Sequence, residues 1–366
     1  MKRILTVLAL LALSAGLDFG FGAGAQEIPD SVRTAQADTL ASAPSDSLVI
    51  PEVIVPPEPL EPVKAGSIAQ FRLIIRSGEY SGITWAGGSQ YAVVHDKGNG
   101  GGIYSFVVYT DSTGIPSSVL AYELEAGRNS KESSLDNEDV VYVPSRRSLF
   151  VVSEAQQSIR EYDLFGKPTG AQLEVPSAFA KANITSGHGF ESLAYNESTG
   201  LFWTTTEAPL KGEEFHRLQS FRADSLLPAA QFLYEPSPAE VPAEKTKKAK
   251  AYVKGLSAMT ALDDGRLIVM ERELYVPSGR ITEMFMGAFG KTSLYEVDPS
   301  RSSGELLEKR ELLTFYTTAL NLANFEGMCL GPTLADGSRL LLLIADSQGG
   351  MNGLVGEYLK FIKLRL

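Results

Sequence analysis

Residues 189–207 read GFESLAYNESTGLFWTTTE. Two short runs rich in apolar, aromatic and β-branched residues flank a polar turn, AsnGluSerThrGly at 196–200. That is the pattern of a β-hairpin. An acid stands near the start of the first run, Glu191, and another at the end of the second, Glu207.

The arrangement recurs in YSGITW…YAVVHD, DNEDVVYV…LFVVSE, GLSAMTAL…LIVMERE and NFEGMCL…LLLLIAD. Aligned on their first strands, the five segments place Ser81, Glu138, Glu191, Ser257 and Glu326 in one column. A second column holds Asp96, Glu154, Glu207, Glu271 and Asp346, at gaps of 15, 16, 16, 14 and 20 residues. Self-similarity at a fixed spacing signals a repeat architecture. Each unit parses into about four strands, with turn-competent AspAspGly at 263–265 and AspGly at 336–337. The fifth unit is one strand short, and FRLIIR at 71–76 is a strand without a partner. Joining the two closes a ring and removes the exposed edges. The expected fold is therefore all-β: a propeller of five four-stranded blades, six being possible, closed by an N-terminal strand in the last blade. A β-sandwich with look-alike strands is the alternative.

Three regions are expected. Lys2 and Arg3, the apolar run Ile4–Leu13 and the exit Ala23-Gly24-Ala25 describe a cleaved secretory signal at 1–25, hence a periplasmic or secreted product. The apolar run is too short for a membrane span. Residues 26–66, with PEVIVPPEPLEPVKAG, compose a proline-rich linker. The propeller takes 67–366. Cys329 is the only cysteine, so no intrachain disulfide can form, and its apolar context suits a buried thiol. The formal charge of -11 and pI near 5.0 disfavour nucleic acid or an anionic membrane as partner. The Lys245–Lys250 run between proline-rich and strand sequence is expected to be a solvated loop.

In an antiparallel pair the start of one strand meets the end of the next. Glu138 with Glu154, Glu191 with Glu207, and Glu326 with Asp346 should thus project toward one mouth of the central channel. Clustered carboxylates need a cation, a basic side chain or a proton. Calcium or magnesium suits an oxygen-rich cluster. Arg272 and Lys97 can supply positive charge. One carboxylate can remain protonated and act as an acid. Structural roles, capping turns or stitching blades, are open to every one of these acids. Of three histidines, His95 and His188 fall near the mouth, whereas His216 in KGEEFHRL is expected at the surface. The chain has no HExxH zinc motif, no G-x-S-x-G nucleophile elbow, no phosphate loop and no dinucleotide fingerprint.

The same stretches, with SLYEVD at 293–298, resemble the bacterial family named for the esterase-like activity of phytase, over roughly residues 75 to 350. The resemblance implies a secreted propeller that hydrolyses phosphate or carboxylic esters, and it maps Glu138, Glu191, Glu207, Glu271, Glu326 and Asp346 with Arg272 onto the family's pattern. The first unit has His95-Asp96-Lys97 in place of a more acidic run, AsnGluAspVal lacks the usual glycine after the glutamate, and AspSerGlnGlyGly lacks an asparagine. On this reading Glu191, Glu326, Glu207 and Arg272 are catalytic, Lys97, His95 and His188 bind substrate, and Asp96, Glu138, Glu154, Glu271 and Asp346 hold calcium. The partner is a small-molecule ester or phosphoester. A non-catalytic binding propeller at the cell envelope and a calcium-dependent lactonase-like hydrolase are the competing readings.

Overall fold

LLLLI at 340–344 is apolar at every position, where a sheet with one wet face would alternate. The computed structural model gives the reason. It describes residues 61–62, 69–72, 79–96, 102–114, 116–124, 135–302, 304–347 and 354–365. The strand containing this run is sandwiched between two neighbouring blades. Leu341, Leu343 and Ala345 face one, while Leu340, Leu342 and Ile344 face the other.

Five antiparallel sheets form the ring. Blade 1 is β3 (Tyr80–Gly87), β4 (Gln90–His95), β5 (Ile103–Thr110) and β6 (Pro116–Glu123). Blade 2 is β7 (Asn137–Val143), β8 (Ser148–Ser153), β9 (Ser158–Tyr162) and β10 (Pro168–Gln172). Blade 3 is β11 (Phe190–Asn196), β12 (Leu201–Thr206), β13 (His216–Arg222) and β14 (Pro228–Tyr234). Blade 4 is β15 (Ala249–Ala261), β16 (Leu267–Pro277), β17 (Phe289–Val297) and β18 (Lys309–Thr318). Blade 5 is β19 (Asn324–Thr333), β20 (Arg339–Asp346) and β21 (Tyr358–Arg365). Its outer edge is supplied by β1 (Glu61–Pro62) and β2 (Ala69–Arg72), both paired with β21. The first strands β3, β7, β11, β15 and β19 each touch the next, and β19 touches β3, so the ring is closed.

Each blade boundary holds its own apolar cluster. Val94, Ile103 and Val151 lie between blades 1 and 2, Phe150, Phe190 and Phe202 between 2 and 3, Trp203, Leu218 and Val269 between 3 and 4. Met270, Phe325 and Leu343 fill the boundary of 4 and 5, and Phe106, Leu342 and Phe361 that of 5 and 1. Cys329 is buried in the last of these. Truncating such a side chain to alanine typically removes about 2–5 kcal/mol.

Three expectations shift. The ring-closing strand begins at Ala69, two residues before the expected 71, and the rest of 71–76 lies outside the described residues. Glu61–Pro62 pairs with Leu364 and Arg365 although it falls in the expected linker. Proline lacks a donor, and an outer edge strand is where a sheet tolerates it. The signal segment at 1–25 lies outside the described residues. Among the described residues, no helix is long and apolar enough to cross a membrane.

Candidate active site at the acidic mouth

Every first strand carries a β-bulge at the same height. The ladder pairs Tyr80 with His95 and then Gly82 with Val94, leaving Ser81 extra. Glu191 is extra between Phe190 and Ser192, Ser257 between Leu256 and Ala258, and Glu326 between Phe325 and Gly327. In blade 2 the shift lies between Asn137 and Val140, across Glu138 and Asp139. A bulge adds one residue and re-aims its side chain. The first column of the repeat is thus the set of bulged positions.

The residue just past the ladder partner of each pre-bulge position forms the second column. In blades 1, 2, 3 and 5 it is Asp96, Glu154, Glu207 and Asp346. In blade 4 the pre-bulge Leu256 pairs with Glu271, so the column residue is Arg272. Side chains alternate along a strand, which sends Glu271 and Glu273 away from Arg272. Glu271 accepts from Tyr234 Oη at 2.7 Å, the Ser237 N–H at 3.0 Å and Lys309 Nζ at 2.7 Å. Glu273 accepts from the N–H groups of Glu240 and Val241 at 2.8 and 3.0 Å. Both acids pin the 235–241 segment. Glu271, expected as a metal ligand, is therefore a structural anchor outside the cluster.

Arg272 is buried at the meeting of three blades. Its Nη2 donates to Glu191 Oε1 at 2.9 Å and to Glu207 Oε1 at 2.7 Å, and its Nη1 donates to Glu326 Oε1. Asn324 Nδ2 donates to the same Glu326 oxygen at 2.7 Å. Burial alone would lower the guanidinium pKa, but Glu326, Glu207 and Glu191 hold it well above the usual value. Burial likewise pushes the Glu207 carboxyl up, and Arg272 with His188 outweighs it, leaving Glu207 below the ordinary range. Glu191 is raised well above it by burial and by Glu207 and Glu138. Glu326 is raised to about 7 by burial, against the pull of Arg272.

His188 Nδ1 lies 2.5 Å from Glu207 Oε2, and its side chain is 39% exposed at the mouth. Glu154 Oε1 accepts from the Gly189 N–H at 2.8 Å. A Cβ on Gly189 would meet Gln157 Nε2 at 1.8 Å and Glu154 Cγ at 2.8 Å, so glycine is required beside that carboxylate.

On the blade 2 side, ligand oxygens of Asp136, Glu138 and Glu154 lie within 4.8 Å of one another. Glu138 is raised well above the carboxylate range, first by burial and then by Glu326, Asp96, Asp136 and Glu154. Ser81 Oγ, on the bulge of the adjoining blade, is buried with no hydrogen-bond partner among the described residues. Ser257 Oγ, the other serine of the bulge ring, is in the same condition. Asp346 is fully buried opposite Asn324.

His95 is buried inside blade 1, edge-on to Tyr104 with ring centroids 5.3 Å apart, and Gly102 packs on its ring. Lys97 lies outside the described residues. His216, expected at the surface, is 1% exposed; its Nδ1 meets the Thr206 carbonyl oxygen at 3.1 Å, and burial lowers its pKa to about 4. Two residues escaped sequence reasoning. Asp136 stands two positions before Glu138, with a backbone φ of 52°. Asp139 takes the place of the absent glycine, and its carboxylate accepts from the Val140 N–H at 2.8 Å and the Leu193 N–H at 2.7 Å, stitching blade 2 to blade 3.

Among solved structures, a streptogramin B lyase shares 13% identity at a TM-score of 0.32, covering 81% of this chain and 96% of that one. A regucalcin from Agrobacterium tumefaciens str. C58, described as a calcium-binding protein, shares 12% identity at a TM-score of 0.35, covering 78% and 76%. Likeness at this level carries no argument about chemistry. No curated protein matches the chain. The model of one family, described as phytase-like and as the esterase-like activity of phytase, matches residues 75–348, the segment that holds all five hairpins and both columns. The chain belongs to this phytase-like family.

Proposed function

We propose that the acidic mouth is the active site of a hydrolase of phosphate or carboxylic esters working outside the cytoplasm. The observation that carries this reading is the uneven compensation of charge around the mouth. Arg272 places a positive charge among Glu191, Glu207 and Glu326 of blades 3 and 5. The largest charge effects on Glu138, by contrast, come from acids. A divalent cation would complete that side.

The donor set fits calcium. Asp136, Glu138 and Glu154 offer only oxygen, Asp96 acts on Glu138 from blade 1, and the Ser81 hydroxyl on the bulge of that blade is buried without a partner among the described residues. When bound, calcium supplies a positive charge for the substrate's anionic oxygens and lowers the pKa of coordinated water. Arg272 fixes Glu191, Glu207 and Glu326 in one arrangement. Within the Arg272 cluster, Glu191 and Glu326 are the carboxyls raised above the ordinary range and so able to hold a proton. His188, with a half-exposed side chain, is available to contact the substrate.

The test is turnover of phenyl acetate, phenyl phosphate and a simple lactone by the full chain, with calcium and with chelator. Ester or phosphoester turnover that depends on calcium, with Glu191→Gln and Glu326→Gln inactive but folded, supports the reading. Undiminished turnover in both variants removes these residues from the mechanism. Turnover confined to the lactone selects the lactonase reading. A wild-type chain that binds calcium and turns over nothing is a binding module.

A further inference from the structure

His188 and Glu207 form a pair whose two ends lie in different surroundings. Glu207 is buried, and one of its oxygens is held by Arg272 Nη2 at 2.7 Å. Its other oxygen meets His188 Nδ1 at 2.5 Å. An ionised carboxylate only accepts hydrogen bonds, so Nδ1 must carry the proton. In the neutral imidazole this leaves Nε2 as the acceptor. The His188 ring is half-exposed while Glu207 is buried, so solvent reaches the pair from the imidazole side. The other two histidines are buried, one against the Thr206 carbonyl and one against Tyr104.

We propose that His188 is a catalytic residue of this site, taking a proton from the attacking water and returning it to the leaving oxygen, with Glu207 as its positioning residue. The proposal rests on the hydrolase reading above. In the step, Nε2 accepts a proton from water as the water oxygen bonds to the carbonyl carbon or phosphorus. The bond to the leaving oxygen then breaks, and the imidazolium Nε2–H protonates that oxygen. The products are acid and alcohol, and His188 returns to its starting form. An acid–base group held by a buried carboxylate follows the general pattern of an oriented base.

The charged groups facing His188 come from three elements. Glu207 follows β12, Glu154 follows β8 and Arg272 lies on β16. The hydrogen bond from Glu207 raises the imidazole pKa, burial opposes it, Glu154 adds to the rise and Arg272 subtracts from it. The net direction is upward from the ordinary 6.5.

Two measurements on the full chain test the proposal. The first is an NMR titration of the histidine Cε1 resonances, of which there are three. The His188 midpoint should lie above the ordinary value of 6.5, and Glu207→Gln should move it down. An unmoved midpoint overturns the role of Glu207. The second is kcat/KM on phenyl acetate and phenyl phosphate. His188→Ala should lose about 100-fold or more, keep its melting temperature, and recover part of the loss with added imidazole, above the imidazole background. A merely structural histidine would show no such rescue. Wild-type turnover with His188→Ala unaffected overturns His188 alone. Absence of turnover in the wild type, with the titration as expected, overturns the hydrolase reading while leaving the pair in place.

Discussion

Arg272 occupies in blade 4 the place that Glu207 occupies in blade 3, and the two side chains meet across the blade boundary at 2.7 Å. A ring of five equivalent positions therefore contains four acids and one base, and the base is spent on carboxylates of neighbouring blades. Removing one partner of a buried charge network leaves the others uncompensated, typically at about 3–5 kcal/mol. Arg272→Met is expected to lose stability on that scale at pH 7. Lysine cannot reproduce the forked contacts, so Arg272→Lys should recover only part. The loss should shrink as pH falls, because Glu191 and Glu326, both raised, take up protons first and Glu207, held below the ordinary range, takes one up last. Urea unfolding of both variants at two pH values checks it.

Glu138 carries the opposite prediction. Its folded carboxyl holds a proton that the unfolded chain releases once pH passes about 4.3. The native state then binds more protons than the unfolded state, so stability falls as pH rises through that value. In chelator at neutral pH, Glu138→Gln should raise the melting temperature by roughly 2–4 °C, the size expected for about 1 kcal/mol. The same variant should lose the melting increase that calcium gives the wild type. A drop in melting temperature without calcium would assign Glu138 to structure instead.

His216 sets an acid limit. Its folded pKa of about 4 lies below the unfolded value of 6.5. The unfolded chain therefore binds a proton first as pH falls. The stability it contributes is complete above about pH 6.5 and is lost progressively toward pH 4, up to about 3 kcal/mol for a shift of this size. His216→Gln should flatten the pH dependence of unfolding in that window. Denaturation midpoints collected every half pH unit would reveal it.

Gly327 faces the ring closure. A Cβ there would lie 2.5 Å from the Ser81 carbonyl oxygen and 2.8 Å from Gly82 Cα. Both are backbone atoms of β3, which cannot yield without moving blade 1 from blade 5. Gly327→Ala is expected to destabilise by roughly 3 kcal/mol. Gly304→Ala, whose Cβ meets nothing within 4 Å, should change stability by less than about 0.5 kcal/mol. Equal melting temperatures for the two variants would refute the tight closure.

Much of this architecture was legible because the signals are local. Hairpin turns such as AsnGluSerThrGly at 196–200 and acids at strand ends survive as patterns of a few residues. The blade count and the pairing of the chain's two ends follow from counting strands. Alignment by residue type failed at blade 4, where acid was matched to acid and Glu271 was chosen; ladder parity places Arg272 there. No composition marks a bulge, so the reason for the first column was hidden. His216 sits in the polar string KGEEFHRL yet opens a buried strand, a placement imposed by the neighbouring blades rather than by its own segment. Asp136 was passed over because it precedes its strand and reaches Glu138 and Glu154 only through its left-handed backbone turn.

The outer edge of blade 5 is built by β1 and β2 against β21, so strands almost 300 residues apart in sequence share one sheet. Blades 1, 2, 3 and 4 are each continuous in sequence and can pair their own strands as they leave the ribosome. The acidic mouth cannot be assembled that way, because Glu326 comes from the blade that waits for β21. A chain interrupted shortly before β21 would carry four formed blades with two unsealed flanks. Such a nascent chain would be sticky, with its acidic mouth incomplete, until β21 arrived, which makes the timing of that strand, more than the stability of any blade, the step a folding helper would have to guard.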